Sequence, residues 1–343
     1  MADAPWWRPE LFARRRPRLE LRMRLTAATR AFFVERAFLE VETPALQISP
    51  GLEPHLMAFA TELVAADQQS ARPFYLHTSP EFAMKKLLAA GLPRIFQLAH
   101  VFRNGERATT HSPEFTMLEW YRYGAYEEII ADTAMLVRTL SGVAGKRVVS
   151  WRGIECDLEA EPEIVSVQAA FDRYADGIDL LATVGDMPAL IAEAKRIGVR
   201  VGEGDRWDDL VLRILAERIE PKLGAGRPAF LADYPVEMAA LARVKPSDRR
   251  VAERVELYIA GVEIANGFGE LTDAAEQRRR FTADMDLKEQ LYGQRYPIDE
   301  EFLAALESGI PDSAGMALGF DRLVMLLAGA TQIDDILWVP VAR

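Results

Sequence analysis

One cysteine, Cys156, stands among 343 residues, so no disulfide scaffold can form within the chain and a reducing compartment suits it. Four histidines, His55, His77, His100 and His111, are scattered without the spacing of a zinc site. No apolar run is long enough to span a membrane, and the arginine-rich start is not followed by the apolar stretch of a signal peptide. A cytoplasmic protein with no membrane partner is the expectation. Repeats and low-complexity tracts are absent too. Positive charge is in deficit: 41 Lys and Arg against 52 Asp and Glu leave a net charge of -11, which opposes a nucleic-acid interface of tRNA size. The basic residues that exist are bunched early, at Arg8, Arg14, Arg15, Arg16, Arg18, Arg22 and Arg24, as either a docking patch for an acidic partner or a solvated helix start. Half of the residues are hydrophobic, enough for a substantial core.

What is present first is strand pattern. Arg94 to Arg103 and Phe115 to Tyr123 are rich in β-formers, and the loop between them carries Gly105, Ser112 and Pro113, which predicts an antiparallel pair. Side chains alternate with period two, so Phe115, Met117, Glu119 and Tyr121 fall on one face and Thr116, Leu118 and Trp120 on the other. One face reads as chemistry: an arginine for a phosphate, a ring for a base, polar groups for a polar substrate. An ordinary half-buried hairpin with a charged edge has the same pattern, and this segment alone leaves both readings open.

A glycine-containing strand from Ser313 to Gly319 runs into an apolar helix reaching Ala328, with Asp321 and Arg322 at the junction. Glycine lets a ligand approach the backbone, and an arginine at a helix start can clamp a terminal phosphate. Near the other end a helix is predicted from Leu19 to Arg36, followed by a strand within Phe38 to Pro44. In order, these segments resemble the three signature motifs of class II aminoacyl-tRNA synthetases. Within that class the chain is similar to the lysyl branch, through Thr78-Ser-Pro-Glu-Phe82, Met84-Lys-Lys-Leu87, His111-Ser-Pro-Glu-Phe-Thr-Met-Leu-Glu119 and Gly261-Val-Glu-Ile-Ala-Asn-Gly-Phe-Gly-Glu-Leu271. No anticodon-binding OB domain fits ahead of Leu19, which points to the stand-alone lysyl-synthetase paralogues that modify elongation factor P.

The resemblance implies an α+β fold, an antiparallel sheet flanked by helices, in one catalytic domain over 1–343. A helical insertion is expected at about 161–246, where Met187 to Ile197 and Trp207 to Ile219 have helical periodicity. Gln68 to Pro73 reads as a surface loop. A homodimer through the first motif is implied, and tRNA is an improbable partner given the acidic balance.

The chemistry implied is a ligase's: ATP activates the carboxylate of (R)-β-lysine as an adenylate, and a lysine ε-amine of elongation factor P then takes the acyl group. By resemblance Arg103 binds the α-phosphate and the substrate carboxylate, Arg322 the γ-phosphate, and Phe115 stacks on adenine. His111 lies near the outer phosphates, and Asn104, Gly105, Glu106, Ser112, Ile264 and Gly319 complete the nucleotide site. Glu119, Tyr121, Asn266 and Glu270 would surround the distal ammonium, with Phe268 along the aliphatic chain. In the turn Ser79-Pro80-Glu81, Glu81 would take the other amino group. Acidic groups at both ends select a diamino acid, because an unpaired buried ammonium carries a heavy desolvation cost.

Three departures from the family pattern stand out. Gly105 separates Asn104 from Glu106, where a glutamate usually follows directly, and Ser112 replaces the usual asparagine. Ala317 occupies a position that is glycine in lysyl-tRNA synthetases; one methyl in a tight pocket shifts selectivity by roughly 1–3 kcal/mol, which suits an amino group on the β carbon. A lysine-activating enzyme acting on tRNA, another amide-forming ligase and a non-catalytic paralogue are the alternatives.

Two glutamates allow a derivation from spacing. Ala260-Gly261 is a hairpin signal, and a two-residue turn puts Tyr258 opposite Glu263 with Glu256 as a diagonal neighbour on that face. Converging carboxylates favour a cation, and hard oxygen ligands suit Mg²⁺, which the resemblance also assigns to Glu256 and Glu263. Two separately solvated glutamates are the alternative. Asn266, Phe268 and Glu270 have the opposite parity from Glu263, so a bulge near Ala265 to Gly267 is expected to reset the register.

Overall fold

Helix α1 (Pro9–Val34) opens on a proline in its first turn, where no intrahelical donor is lost, and so starts well before the expected Leu19. The structure, a computed structural model, describes residues 6–67 and 69–342. The strand expected after α1 is reduced to β1 (Leu39–Glu40). A small antiparallel sheet follows, made of β2 (Leu46–Gln47), β3 (Phe59–Val64) and β4 (Ala71–Leu76). Strand β4 takes up part of the loop expected over Gln68 to Pro73, of which Gln68 lies outside the described residues. Helix α2 (Glu81–Ala89) leads into the predicted hairpin, β5 (Arg94–Phe102) and β6 (Glu114–Tyr123), and then α3 (Tyr126–Ala144). A separate hairpin, β7 (Val148–Trp151) and β8 (Ile154–Asp157), precedes β9 (Glu163–Ser166).

The helical stretch is narrower than expected. Helices α4 (Val167–Tyr174), α5 (Met187–Arg196) and α6 (Trp207–Ile214) lie between β9 and β10 (Ala229–Pro235), and both strands belong to the main sheet. Their apolar faces form a second core in which Phe171, Leu190 and Leu210 pack with Leu231 and Tyr258 of the sheet. The chain closes with β11 (Val251–Ile259), β12 (Val262–Gly269), α7 (Ala274–Tyr292), α8 (Glu300–Glu307), β13 (Ser313–Gly319) and α9 (Phe320–Leu327).

Among the described residues the main sheet has eight strands, ordered β1-β5-β6-β13-β12-β11-β10-β9. Only its outermost pairs, β1 with β5 and β9 with β10, are parallel. This is the expected α+β architecture. Its two faces differ as the alternation of β6 predicts. Leu118, Trp120 and Phe96 join the core beneath α1, α3 and α9, with Phe33 stacked 4.8 Å from Phe96. The other face carries two rows running across the strands, the first of them mostly polar. One row is Glu256, Asn266, Ala317, Glu119 and Gln97; the next is Arg254, Phe268, Gly315, Tyr121 and Ile95.

The β11–β12 turn has the predicted two residues, Ala260 at φ 52 and Gly261 at φ 75, and Tyr258 pairs with Glu263. The bulge is present but earlier than expected. Leu257 pairs with Ala265, so Ile264 is the extra residue, and it brings Asn266 and Phe268 to the face that Glu263 occupies.

Three of the early arginines make internal contacts, while Arg8, Arg14, Arg16 and Arg24 are exposed. Arg15 donates to the backbone carbonyls of Asp334 and Leu337, and Arg18 pairs with Asp335 at 3.3 Å. Arg22 pairs with the fully buried Asp321 and donates to Thr116 Oγ1 at 2.8 Å. Asp321 in turn accepts from the backbone amide of Thr116 at 2.9 Å, tying the start of α9 to β6.

Candidate active site

A cleft opens on the polar face, above β6, β12 and β13. Arg103, Glu106, His111, Ser112, Phe115, Glu263, Ile264, Gly319 and Arg322 line one part, and Ser79, Glu81, Glu119, Asn266, Phe268 and Ala317 line the other. These are most of the residues singled out from sequence. Asn104 and Gly105 are exposed outside it, while Gly105 at φ 82 turns the loop so that Glu106 faces in. Pro80 is the residue on which α2 begins, and Glu256, Tyr121 and Glu270 lie behind the cleft wall.

The phosphate-binding end is built from two arginines in different states. Arg322 donates to His111 Nε2 at 2.6 Å and to the backbone carbonyl of Glu263 at 3.1 Å, with the Glu263 carboxylate at 3.6 Å. An arginine can only donate, so His111 carries its proton on Nδ1, which meets Thr110 Oγ1 at 3.1 Å. Burial, and after it Arg322, holds the His111 pKa below its ordinary value, so the ring stays neutral. Arg103 is different. Its Nε reaches only the Thr78 carbonyl, at 3.4 Å, and its guanidinium sits 5.3 Å from the Phe115 ring centroid. Among the described residues no carboxylate pairs with it.

The opposite end is acidic. Ser79 Oγ and Tyr121 Oη donate to the two oxygens of Glu119 at 2.6 and 2.8 Å. No cation pairs with Glu119 among the described residues, and burial, then Glu81, pushes its carboxyl up to about 8 despite those donors. Gly315 makes the second layer possible, since a Cβ there would lie 2.3 Å from the Tyr121 ring and 2.5 Å from Glu270 Oε1. Lys85, to which the sequence reading gave no role, sits between Glu81 and Glu270, 2.5 Å from a carboxylate oxygen of each, and is 1% exposed. Burial opposes its charge, but Glu270 and Glu81 outweigh burial and raise its pKa. The i,i+4 spacing of Glu81 and Lys85 is the one sequence signal that could have found it.

The fit for a nucleotide and a metal can be tested on the side chains. Ser112 Oγ and Asn266 Oδ1 are buried without hydrogen-bond partners on the cleft wall, as groups awaiting a ligand would be. Glu263 is raised by desolvation and by Glu256, with Arg322 opposing, and Glu220, from the end of the helical segment, is pushed up to about 7 by burial, Glu256 and Glu263. Glu220 and Glu263 therefore feel the charge of Glu256 and of each other, as carboxylates on one wall do. Glu256 has one donor on each oxygen, Arg254 at 2.7 Å and Tyr258 at 2.8 Å, which leaves its second lone pairs for a cation. Elsewhere, His55, Asp208 and Asp209 bring ligating atoms within 4.8 Å of one another, but Arg206 pairs with both aspartates and already meets their charge.

Comparison with known proteins agrees with this geometry. The family model described as tRNA synthetases class II (D, K and N) matches residues 12–343. A protein of Haemophilus ducreyi named elongation factor P–(R)-β-lysine ligase is 41% identical over 325 residues, covering 94% of this chain and 93% of that protein. Proteins of the same name from Avibacterium paragallinarum, 41% identical over 92% of each chain, and Klebsiella pneumoniae, 39% identical over 100% of each, are similar to it as well. With its sheet, its ATP-type cleft and matches of this length, the chain belongs to the class II tRNA synthetase family and is an adenylate-forming ligase of that type.

Proposed function

We propose that the chain activates (R)-β-lysine with ATP and transfers the β-lysyl group to a lysine ε-amine of elongation factor P. The observation that carries this reading is the charge layout of one cleft: among the described residues, an arginine without an ion-pair partner, Arg103, at one end and a carboxylate without one, Glu119, at the other. A carboxylate held by Arg103 would attack the α-phosphorus of ATP and release pyrophosphate. The acceptor amine would then attack the acyl carbon, AMP would leave, and the amine would lose a proton. Positioning and charge neutralisation do most of such work. Arg322 and His111 suit the outer phosphates and Phe115 the adenine. Glu263 with Glu256 would hold a magnesium ion brought with ATP, which supplies further neutralisation of the phosphates. Ala317 lies between Asn266 and Glu119 on adjacent strands, where its methyl narrows the floor beneath the substrate. A homodimer through α1 and β1 is supported by the exposed apolar Met23, Val34 and Leu39.

ATP–pyrophosphate exchange with (R)-β-lysine and with α-lysine, followed by mass measurement of elongation factor P, tests the reading. The expected result is faster exchange with the β-isomer and a mass gain on the factor. Preference for α-lysine with aminoacylation of tRNA would overturn it. A pH dependence follows as well. A cationic substrate needs ionised Glu119, so kcat/KM for the diamino acid should rise as pH climbs toward about 8 and level off above it. Glu119→Gln should lose affinity and flatten that rise; an unchanged profile in this variant would assign the titration to another group.

A further inference from the structure

Four carboxylates stand at or just behind the substrate end of the cleft, and three of them have side-chain partners. Glu119 accepts from Ser79 and Tyr121, while Glu81 and Glu270 share the Lys85 ammonium. The fourth is Glu53. It lines the same cleft, yet its Oε2 is buried with no hydrogen-bond partner among the described residues. Burial, and after it Glu81, raise its pKa, opposed by a hydrogen bond from its own backbone amide and then by Arg103 and Lys288, so its charge is felt at the arginine end of the cavity.

The loop that carries Glu53 is held from outside. Lys288 on α7 is fully buried and donates to the backbone carbonyls of Pro54 at 2.9 Å and Leu56 at 2.6 Å. Thr78 Oγ1 fixes the other side of the loop by donating to the Pro50 carbonyl at 2.9 Å. Gly51, at φ 130, makes room for the carboxylate, since a Cβ there would lie 2.9 Å from Glu53 Oε2. A loop held on both sides therefore keeps a desolvated carboxylate oxygen without a hydrogen-bond partner among the described residues.

We propose that Glu53 determines substrate specificity by binding the amino group nearest the reacting carboxylate, an inference that rests on the diamino-acid reading of the cleft. With the substrate carboxylate on Arg103, an amine a carbon or two away must fall close to that arginine. Glu81 is also there, but its Oε1 is taken by Lys85, whereas Glu53 Oε2 is buried with no hydrogen-bond partner among the described residues. An ammonium has three donors and can bridge both glutamates.

The test compares wild type and Glu53→Gln in ATP–pyrophosphate exchange with (R)-β-lysine and with 6-aminohexanoic acid, which keeps the distal amine and lacks the proximal one. The variant should raise KM for (R)-β-lysine roughly tenfold to a hundredfold and leave KM for 6-aminohexanoic acid unchanged. Its thermal midpoint should hold or rise, because an unmatched buried charge has been removed. Equal effects on the two substrates, no effect on either, or a lower midpoint would overturn the assignment. If wild type exchanges with neither compound, the diamino-acid reading falls with it; if wild type prefers (R)-β-lysine and the variant keeps that preference, only the role of Glu53 falls.

Discussion

Replacing Arg103 with methionine lowers the rate of adenylate formation roughly a thousandfold while leaving the folded protein about as stable as before. Both halves come from how this side chain is held. The other cations of the cleft have internal partners: Arg322 binds His111 and Glu263, and Lys85 binds Glu81 and Glu270. Arg103 has a long bond to the Thr78 carbonyl and the face of Phe115. Removing it breaks no ion pair, so stability changes by only about 0.5 kcal/mol, as at a surface site. The same change leaves the cleft without a free cation where negative charge accumulates between carboxylate and phosphate. Arg103→Lys keeps a charge but loses the planar fork, and its rate should fall between wild type and the methionine variant. Pyrophosphate exchange with thermal melts on the same samples decides the matter. A rate loss below about tenfold, or a loss matched by a fall in stability, would show that Arg103 is structural.

How far the site could be read in advance depended on whether each contact was local. Alternation along β6 separated Phe115, Met117 and Glu119 from Leu118 and Trp120 because that strand runs without a bulge. On β12 the same period broke. The parity conflict showed that a bulge was needed but not where, and Gly267 drew the expectation to itself. That glycine serves another need, since a Cβ there would lie 2.7 Å from the Gly315 carbonyl oxygen. The helical stretch is narrower than its sequence pattern suggests because β9 and β10 are short segments that only sheet pairing distinguishes from helix. Lys85 and Glu53 escaped for a related reason. Their meaning lies in Glu270, Arg103 and Lys288, which the chain brings together only through tertiary structure. A motif therefore marks some of the functional residues, and the rest acquire their role only from the surroundings that folding gives them.

Replacing Lys85 with methionine should destabilise the protein by about 3–5 kcal/mol at mildly alkaline pH, and much less in mild acid. In the wild type one ammonium holds two buried carboxylates together, Glu81 at 2.5 Å and Glu270 at 2.5 Å. Without it the pair can avoid facing each other as unmatched charges only by taking up protons. Burial already pushes Glu270 up to about 7, with Lys85 pulling down and Glu81 pushing up, so loss of the lysine raises it further. In the unfolded chain the same glutamate returns to its ordinary value of 4.5. Between those values the native state holds more protons than the unfolded one, and stability falls as pH rises through the window. The window is wider in the variant, so its deficit is small near the ordinary glutamate value, grows through neutrality and is complete above the raised pKa. Lys85 itself stays charged throughout this range and adds no slope of its own. Urea unfolding at about pH 5 and about pH 8 measures the difference directly. An equal deficit at both values would mean that Lys85 acts through packing of its aliphatic stem rather than through its charge. Because Glu81 and Glu270 border the substrate end, the protons that rescue the fold should also weaken binding of a diamino acid, and KM should rise even where the variant is well folded.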